Sequence, residues 1–143
     1  MSDIDNPVAL VIEIIAAIVA LVALIMMIVN LVQTTNARKR GERPEGGEKT
    51  TKGSVNRQNH MKLALVLVVA GAIHGTAAMI YDSDAITATY VFGWIGLAFM
   101  VCSGIVVMPP VRKALGPNAA KVHRALFVVA VAFVLAHIIA GRL

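Results

Sequence analysis

HMKLALVLVVAGAIHGTAAMI, residues 60–80, and HRALFVVAVAFVLAHIIAGRL, residues 123–143, decide how this chain is read. Each begins on a histidine and carries a second one fourteen positions later, His60 with His74 and His123 with His137. These are all four histidines of the protein. Both stretches are rich in Ala, Val, Leu and Ile, without the period-2 alternation of a half-buried strand. As α-helices they advance 1.5 Å and about 100° per residue, so fourteen residues cover roughly 21 Å and return to within about 40° of the same face. The two imidazoles of each helix therefore lie on nearly one side, close to opposite ends of a hydrocarbon core about 30 Å thick.

The rest of the chain extends this pattern. It has 143 residues, 58% of them hydrophobic, and a mean hydropathy of +0.78, far above that of a soluble domain. Four apolar runs, at about 8–32, 61–80, 85–108 and 119–140, are long enough to cross a bilayer. Only helices and closed barrels satisfy backbone polar groups in hydrocarbon. The expected architecture is all-α: one transmembrane domain over 1–143, an integral membrane four-helix bundle. The first run follows an acidic start (Asp3, Asp5) and is too long for a signal-peptide core, so it is expected to remain as a helix.

Charge placement orients the bundle. Of thirteen Lys and Arg, all but Arg142 fall in or beside the first and third connections: Arg38 to Lys62, then Arg112, Lys113, Lys121 and Arg124. This one-sidedness explains the net charge of +5 by membrane topology and makes nucleic acid unnecessary as a partner. The positive-inside rule places a flexible basic loop at 33–59 and the connection at 109–118 in the cytoplasm of a plasma or inner membrane, with both termini outside. The turn at Asp82-Ser83-Asp84 is short, Pro109-Pro110 ends the third run, and Asn118 is placed to N-cap the fourth. Short connections make sequence neighbours antiparallel. The second and fourth helices then run parallel, so His60 matches His123 in depth on the inner side and His74 matches His137 on the outer side.

Ionisable residues within a membrane are costly and mark functional sites by default. Two histidines about 21 Å apart on one helix cannot share an ion, and two ligands leave zinc under-coordinated. Haem supplies four equatorial nitrogens and needs only two axial ligands. The expected cofactors are thus two non-covalent, bis-histidine haem b groups: an inner one on His60 and His123, an outer one on His74 and His137. No C-x-x-C-H is present for covalent attachment, and Cys102 is alone in the third run, where a buried thiol would act as a small hydrophobe.

Small residues flank the histidines and give a macrocycle room: Ala70, Gly71, Ala77 and Ala78 around His74, Ala119 and Ala120 before His123, Ala140 and Gly141 after His137. Membrane helix packing enriches the same residues, and Gly71-x-x-x-Gly75 is a small-residue packing motif. Phe127 and Phe133 stand one turn inside the fourth-helix histidines. Lys62, Lys121, Arg124 and Arg57 are candidate propionate contacts of the inner haem, and Arg142 of the outer one. Glu13 lies near the outer end of the first run, while Tyr81, Tyr90 and Trp94 suit an outer aromatic belt.

Histidine pairs with thirteen intervening residues, on the second and fourth helices of a four-helix bundle, resemble the di-haem core of the cytochrome b subunit in quinol-oxidising bc complexes. The resemblance covers the second to fourth helices in architecture and implies axial ligation by His60, His74, His123 and His137. The Pro-Glu-Trp-Tyr quinol motif of that family is absent. What the likeness implies is a stand-alone di-haem cytochrome b, or the membrane subunit of a larger oxidoreductase. Such a protein passes electrons across the bilayer between a quinone or other redox donor and a partner on the opposite face. Two other readings use the same residues differently: a proton-coupled small-molecule transporter built on Glu13, and a haem-free structural membrane subunit. Membrane lipid is a partner in every case, and assembly into a homo-oligomer or larger complex fits all three.

Overall fold

The structure, a computed structural model, describes residues 6–39, 52–81 and 88–141. It is all-helical: α1 (Pro7–Lys39), α2 (Lys52–Tyr81), α3 (Ala88–Val106), a short α4 (Pro109–Leu115) and α5 (Ala119–Ala140), with a 3-10 turn over Gly116–Asn118. Four spans are long and apolar enough to cross a membrane, Pro7–Asn30, Asn59–Tyr81, Ala88–Val106 and Pro109–Ala140. The shortest, 19 residues, rises roughly 28 Å, close to the thickness of a hydrocarbon core.

The helix ends differ from the sequence expectation where polar residues carry on a helix begun by apolar ones. α1 continues through Lys39 and α2 begins at Lys52, so both ends of the expected loop at 33–59 are helical. Residues 40–51 lie outside the described part, as do Asp82 and Asp84 of the second connection. Gln, Thr, Asn, Lys and Arg do not break a helix that is already nucleated. Pro109-Pro110 ends α3 and also opens α4, because proline suits the first helical turn, where no amide partner is needed. Asn118 makes no side-chain cap: it has helical dihedrals as the last residue of the 3-10 turn, which leads straight into α5. The side-chain cap is at Asn6, whose Oδ1 accepts from the Val8 and Ala9 amides at 3.1 and 3.2 Å.

α1 packs along α2, and α3 along α5, each pair antiparallel; α2 meets α3 over a shorter stretch. Among the described residues, the backbones of the other membrane-helix pairs stand apart. Burial is inverted relative to a soluble protein. Ile, Val and Leu side chains point outward, and the buried positions are largely alanines together with Leu24, Met27, Leu67, Met100 and Val106. Without a hydrophobic drive between helices in lipid, close backbone approach takes over, and small residues permit it. Ala130, wholly buried, faces Gly96, where an added Cβ would sit 3.3 Å from Phe133 Cβ and Val134 Cγ2. The midlayer core joins Leu24, Met27, Leu67, Met100 and Ala130.

Replacing Gly96 with Val forces α3 away from α5. Overpacking of this kind costs about 1–3 kcal/mol and lowers the thermal unfolding midpoint of the purified protein in detergent.

Candidate functional site

The four histidines meet as two pairs. The rings of His60 and His123 lie with centroids 6.0 Å apart and planes at 83°, those of His74 and His137 at 5.8 Å and 78°. Each pair takes one ring from α2 and one from α5, whose backbones stand apart. The rings reach across a gap rather than sealing a helix contact.

Three of the rings are held from behind by a backbone carbonyl of the neighbouring helix. His137 Nδ1 donates to the Thr89 carbonyl at 2.7 Å, His123 Nδ1 to that of Ser103 at 2.8 Å, and His74 Nδ1 to that of Glu13 at 3.3 Å. A carbonyl can only accept, so Nδ1 carries the proton and the lone pair is left on Nε2, on the far side of the ring. Ser103, 3% exposed, adds a second hold: its Oγ lies 2.8 Å from His123 Nδ1 and donates to the His123 carbonyl at 3.1 Å. Its place in the last turn of α3, where Val107 donates to Gly104 at 3.3 Å, is one where carbonyls are least committed to the helix. Space for the His137 ring comes from Gly93, where a Cβ would stand 3.1 Å from its Nδ1.

Thr89 and Ser103 are themselves fourteen residues apart. On an antiparallel neighbour, acceptors for two donors at a spacing of fourteen recur at the same spacing. That repeat is visible in the sequence, but it has no chemical mark, because the accepting group is the main chain. Glu13 belongs to the set through its carbonyl, which no sequence pattern singles out.

A cavity of about 640 Å³ lies at the His74–His137 level, within the roughly 300–1,000 Å³ usual for cofactor pockets. Its lining is two-fold pseudosymmetric. Glu13, Ala17, Leu21 and Leu24 of α1 correspond at one constant offset to Thr89, Gly93, Leu97 and Met100 of α3. Gly71, His74, Gly75 and Ala78 of α2 correspond at another to Val134, His137, Ile138 and Gly141 of α5. The α2 and α5 runs also share Leu63/Leu126, Val66/Val129, Val68/Val131 and Ala77/Ala140 at that offset. Both halves thus contribute equivalent walls to one site. The expected small residues divide: Gly71, Ala78, Ala140 and Gly141 line this cavity, whereas Ala77 lines a separate groove between α1 and α2. Gly71 and Gly75 admit Leu97 and Trp94 of α3, so the small-residue motif serves the α2–α3 contact.

The remaining candidates fall outside the cavity or play other parts. Lys62, Lys121 and Arg124 are exposed, and Arg124 Nε donates back along its own helix to the Ala120 carbonyl at 3.1 Å. The side chain of Arg57 and the whole of Arg142 lie outside the described residues. Phe133 stacks on Phe99 with centroids 5.7 Å apart and leans on Phe92, while Phe127 packs in the midlayer. Cys102 is exposed on α3 rather than buried, because the lipid-facing side of this bundle is also apolar. Glu13, half-buried, lines the cavity beside His74 and His137. Tyr90 and Trp94 line it as well, and the Tyr90 hydroxyl donates to the Ala78 carbonyl at 3.3 Å. Among the described residues, no three His, Cys, Asp or Glu side chains converge as a metal-ion site. The donor set comes in twos.

Gly93→Val drives a side chain into the His137 ring and breaks its bond to Thr89. Gly104→Ala, where a Cβ meets nothing within 4 Å, stabilises α3 by about 0.5–1 kcal/mol. Thermal unfolding of the two variants is expected to shift in opposite directions. No family model, curated protein or solved structure matches this chain, so the reading of the site stands on its own geometry.

Proposed function

We propose that this protein is a membrane-bound di-haem b cytochrome. The observation that carries the reading is the pair of histidine couples, each drawn across a gap with Nδ1 satisfied behind the ring in three of the four cases. Two metal–nitrogen bonds of about 2 Å, plus the two ring half-widths, give a centroid separation of roughly 6 Å between axial imidazoles on one metal. The observed 6.0 and 5.8 Å match that figure. Pairing first with first and second with second also supports parallel α2 and α5, since antiparallel helices would cross the partners. A donor set of two nitrogens per site suits a macrocycle and starves a bare ion.

In this reading His60 and His123 hold the inner haem, and His74 and His137 the outer one. The Nδ1–H bonds to Thr89, Ser103 and Glu13 lock ring tautomer and direction and make Nε2 a better ligand. Gly71, Gly93, Ala17 and Ala78 keep the outer walls flat and low. Haem bound there would supply one-electron chemistry, and the two histidine pairs would hold it at two depths, between a quinone or soluble donor on one face and an acceptor on the other. With a histidine on each side of both sites, these residues would leave a bound haem no open position for dioxygen, which suits electron transfer. Exposed Lys62, Lys121 and Arg124, with Arg112 and Lys113 of α4, gather at the His60–His123 end and support a cytoplasmic placement of that end.

A transporter built on Glu13 is the second reading, favoured by the place of Glu13 among the residues that line the outer cavity. The two part on colour. Protein purified from haem-replete cells is expected to show a reduced-minus-oxidised b-type spectrum and about two haems per chain. A colourless product overturns the cytochrome. His74→Ala or His137→Ala is expected to remove the outer haem and leave about one per chain, with His60→Ala or His123→Ala removing the inner one.

A further inference from the structure

We infer that the bound cofactors are the principal bond between two preformed helical hairpins, α1–α2 and α3–α5. The inference rests on the haem reading and goes beyond it, because it concerns what holds the fold together. Within each hairpin the helices lie in close backbone contact. Every histidine hydrogen bond described above is also internal to a hairpin: His74 to Glu13 joins α2 to α1, while His123 to Ser103 and His137 to Thr89 join α5 to α3. Both histidine pairs, by contrast, cross from one hairpin to the other. His74 of one half and His123 and His137 of the other are thus oriented before the halves meet, and each cofactor takes one ligand from each half.

Direct contact between the halves is thin by comparison. α2 touches α3 through Gly71 on Leu97 and Gly75 on Trp94, with the Tyr90 hydroxyl bonded to the Ala78 carbonyl. The midlayer side chains Leu24, Leu67, Met100 and Ala130 meet between the two histidine levels. Above them, at His74 and His137, a cavity opens between the halves, which touch beside it through Trp94 on Gly75 and Tyr90 on Ala78. In lipid, apolar side chains gain little by leaving hydrocarbon for one another, so helices associate through close backbones and hydrogen bonds. The junction is poor in both. His60 with His123, and His74 with His137, would hold a bound haem from both halves and so supply the bond that packing does not, while the corresponding walls let the two hairpins clasp a flat group from equivalent positions.

The test uses the full chain with a protease site inserted between Ser83 and Asp84, a different tag on each half, and solubilisation in a mild detergent, in which unbound halves can separate. After cleavage, haem-loaded protein is expected to keep its halves together through affinity capture of either tag. Extraction of the haem, or the double variant His74→Ala/His123→Ala, is expected to reduce recovery of the partner half by about tenfold or more. Circular dichroism of the released halves is expected to remain helical. Equal recovery with and without haem overturns the inference, as does separation while haem is bound or loss of helix from the freed halves. An intact protein that never binds haem instead overturns the cytochrome reading, so the two failures are distinguishable.

Discussion

A histidine ring inside hydrocarbon needs a partner for each N–H, because no water is there to supply one and an unpaired polar group costs several kcal/mol. The main chain of the adjacent helix meets that demand. Its carbonyls line up along the helix at fixed intervals, so two donors at a spacing of fourteen find acceptors at the same spacing on an antiparallel neighbour. Ser103 and Thr89 are that pair. Once Nδ1 is committed to a carbonyl, Nε2 must face the other way, into the space between the hairpins. For His74, His123 and His137 the direction of the ring lone pair follows from this one bond, repeated.

The two-fold pseudosymmetry of the lining follows from the same requirement. Two hairpins solving one packing problem arrive at equivalent positions, and the departures from equivalence are where the halves differ in chemistry. Glu13 stands where the other half has Thr89, and Met27 where it has Ser103. Carbonyl acceptance needs no particular side chain, so Glu13 and Thr89 can both orient a histidine. The carboxyl and hydroxyl groups are then at liberty to differ. The cavity at His74 and His137 consequently has Glu13 on one side and Thr89 on the other, and among the described residues the His60–His123 pair has a serine clamp at His123.

Much of this fold is legible in composition. The apolar runs, the histidine spacing and the one-sided basic residues need no coordinates, because helix geometry and bilayer thickness convert them directly into depth and face. Helix ends are less legible. Asn118 has the chemistry of a cap and is instead the end of a 3-10 turn, since Gly116, at a φ of 55°, and Pro117 bend the chain before a cap can form. Cys102 reads as an interior residue and lies outside, because in lipid an apolar residue does not reveal which way it faces. Gly93 offers no distinguishing spacing, yet it is the residue whose missing side chain admits the His137 ring.

Four apolar helices, and imidazoles at two levels on two of them, are written in the order of the residues alone. Those are properties of single helices, set by period and length. Which carbonyls hold the rings, how closely the rings of each pair approach, and that a cavity opens between the hairpins at His74 and His137 are settled only when the chain is folded. These depend on how helices approach one another in three dimensions. The main-chain acceptors and missing side chains that govern that approach leave no chemical mark in a one-dimensional string.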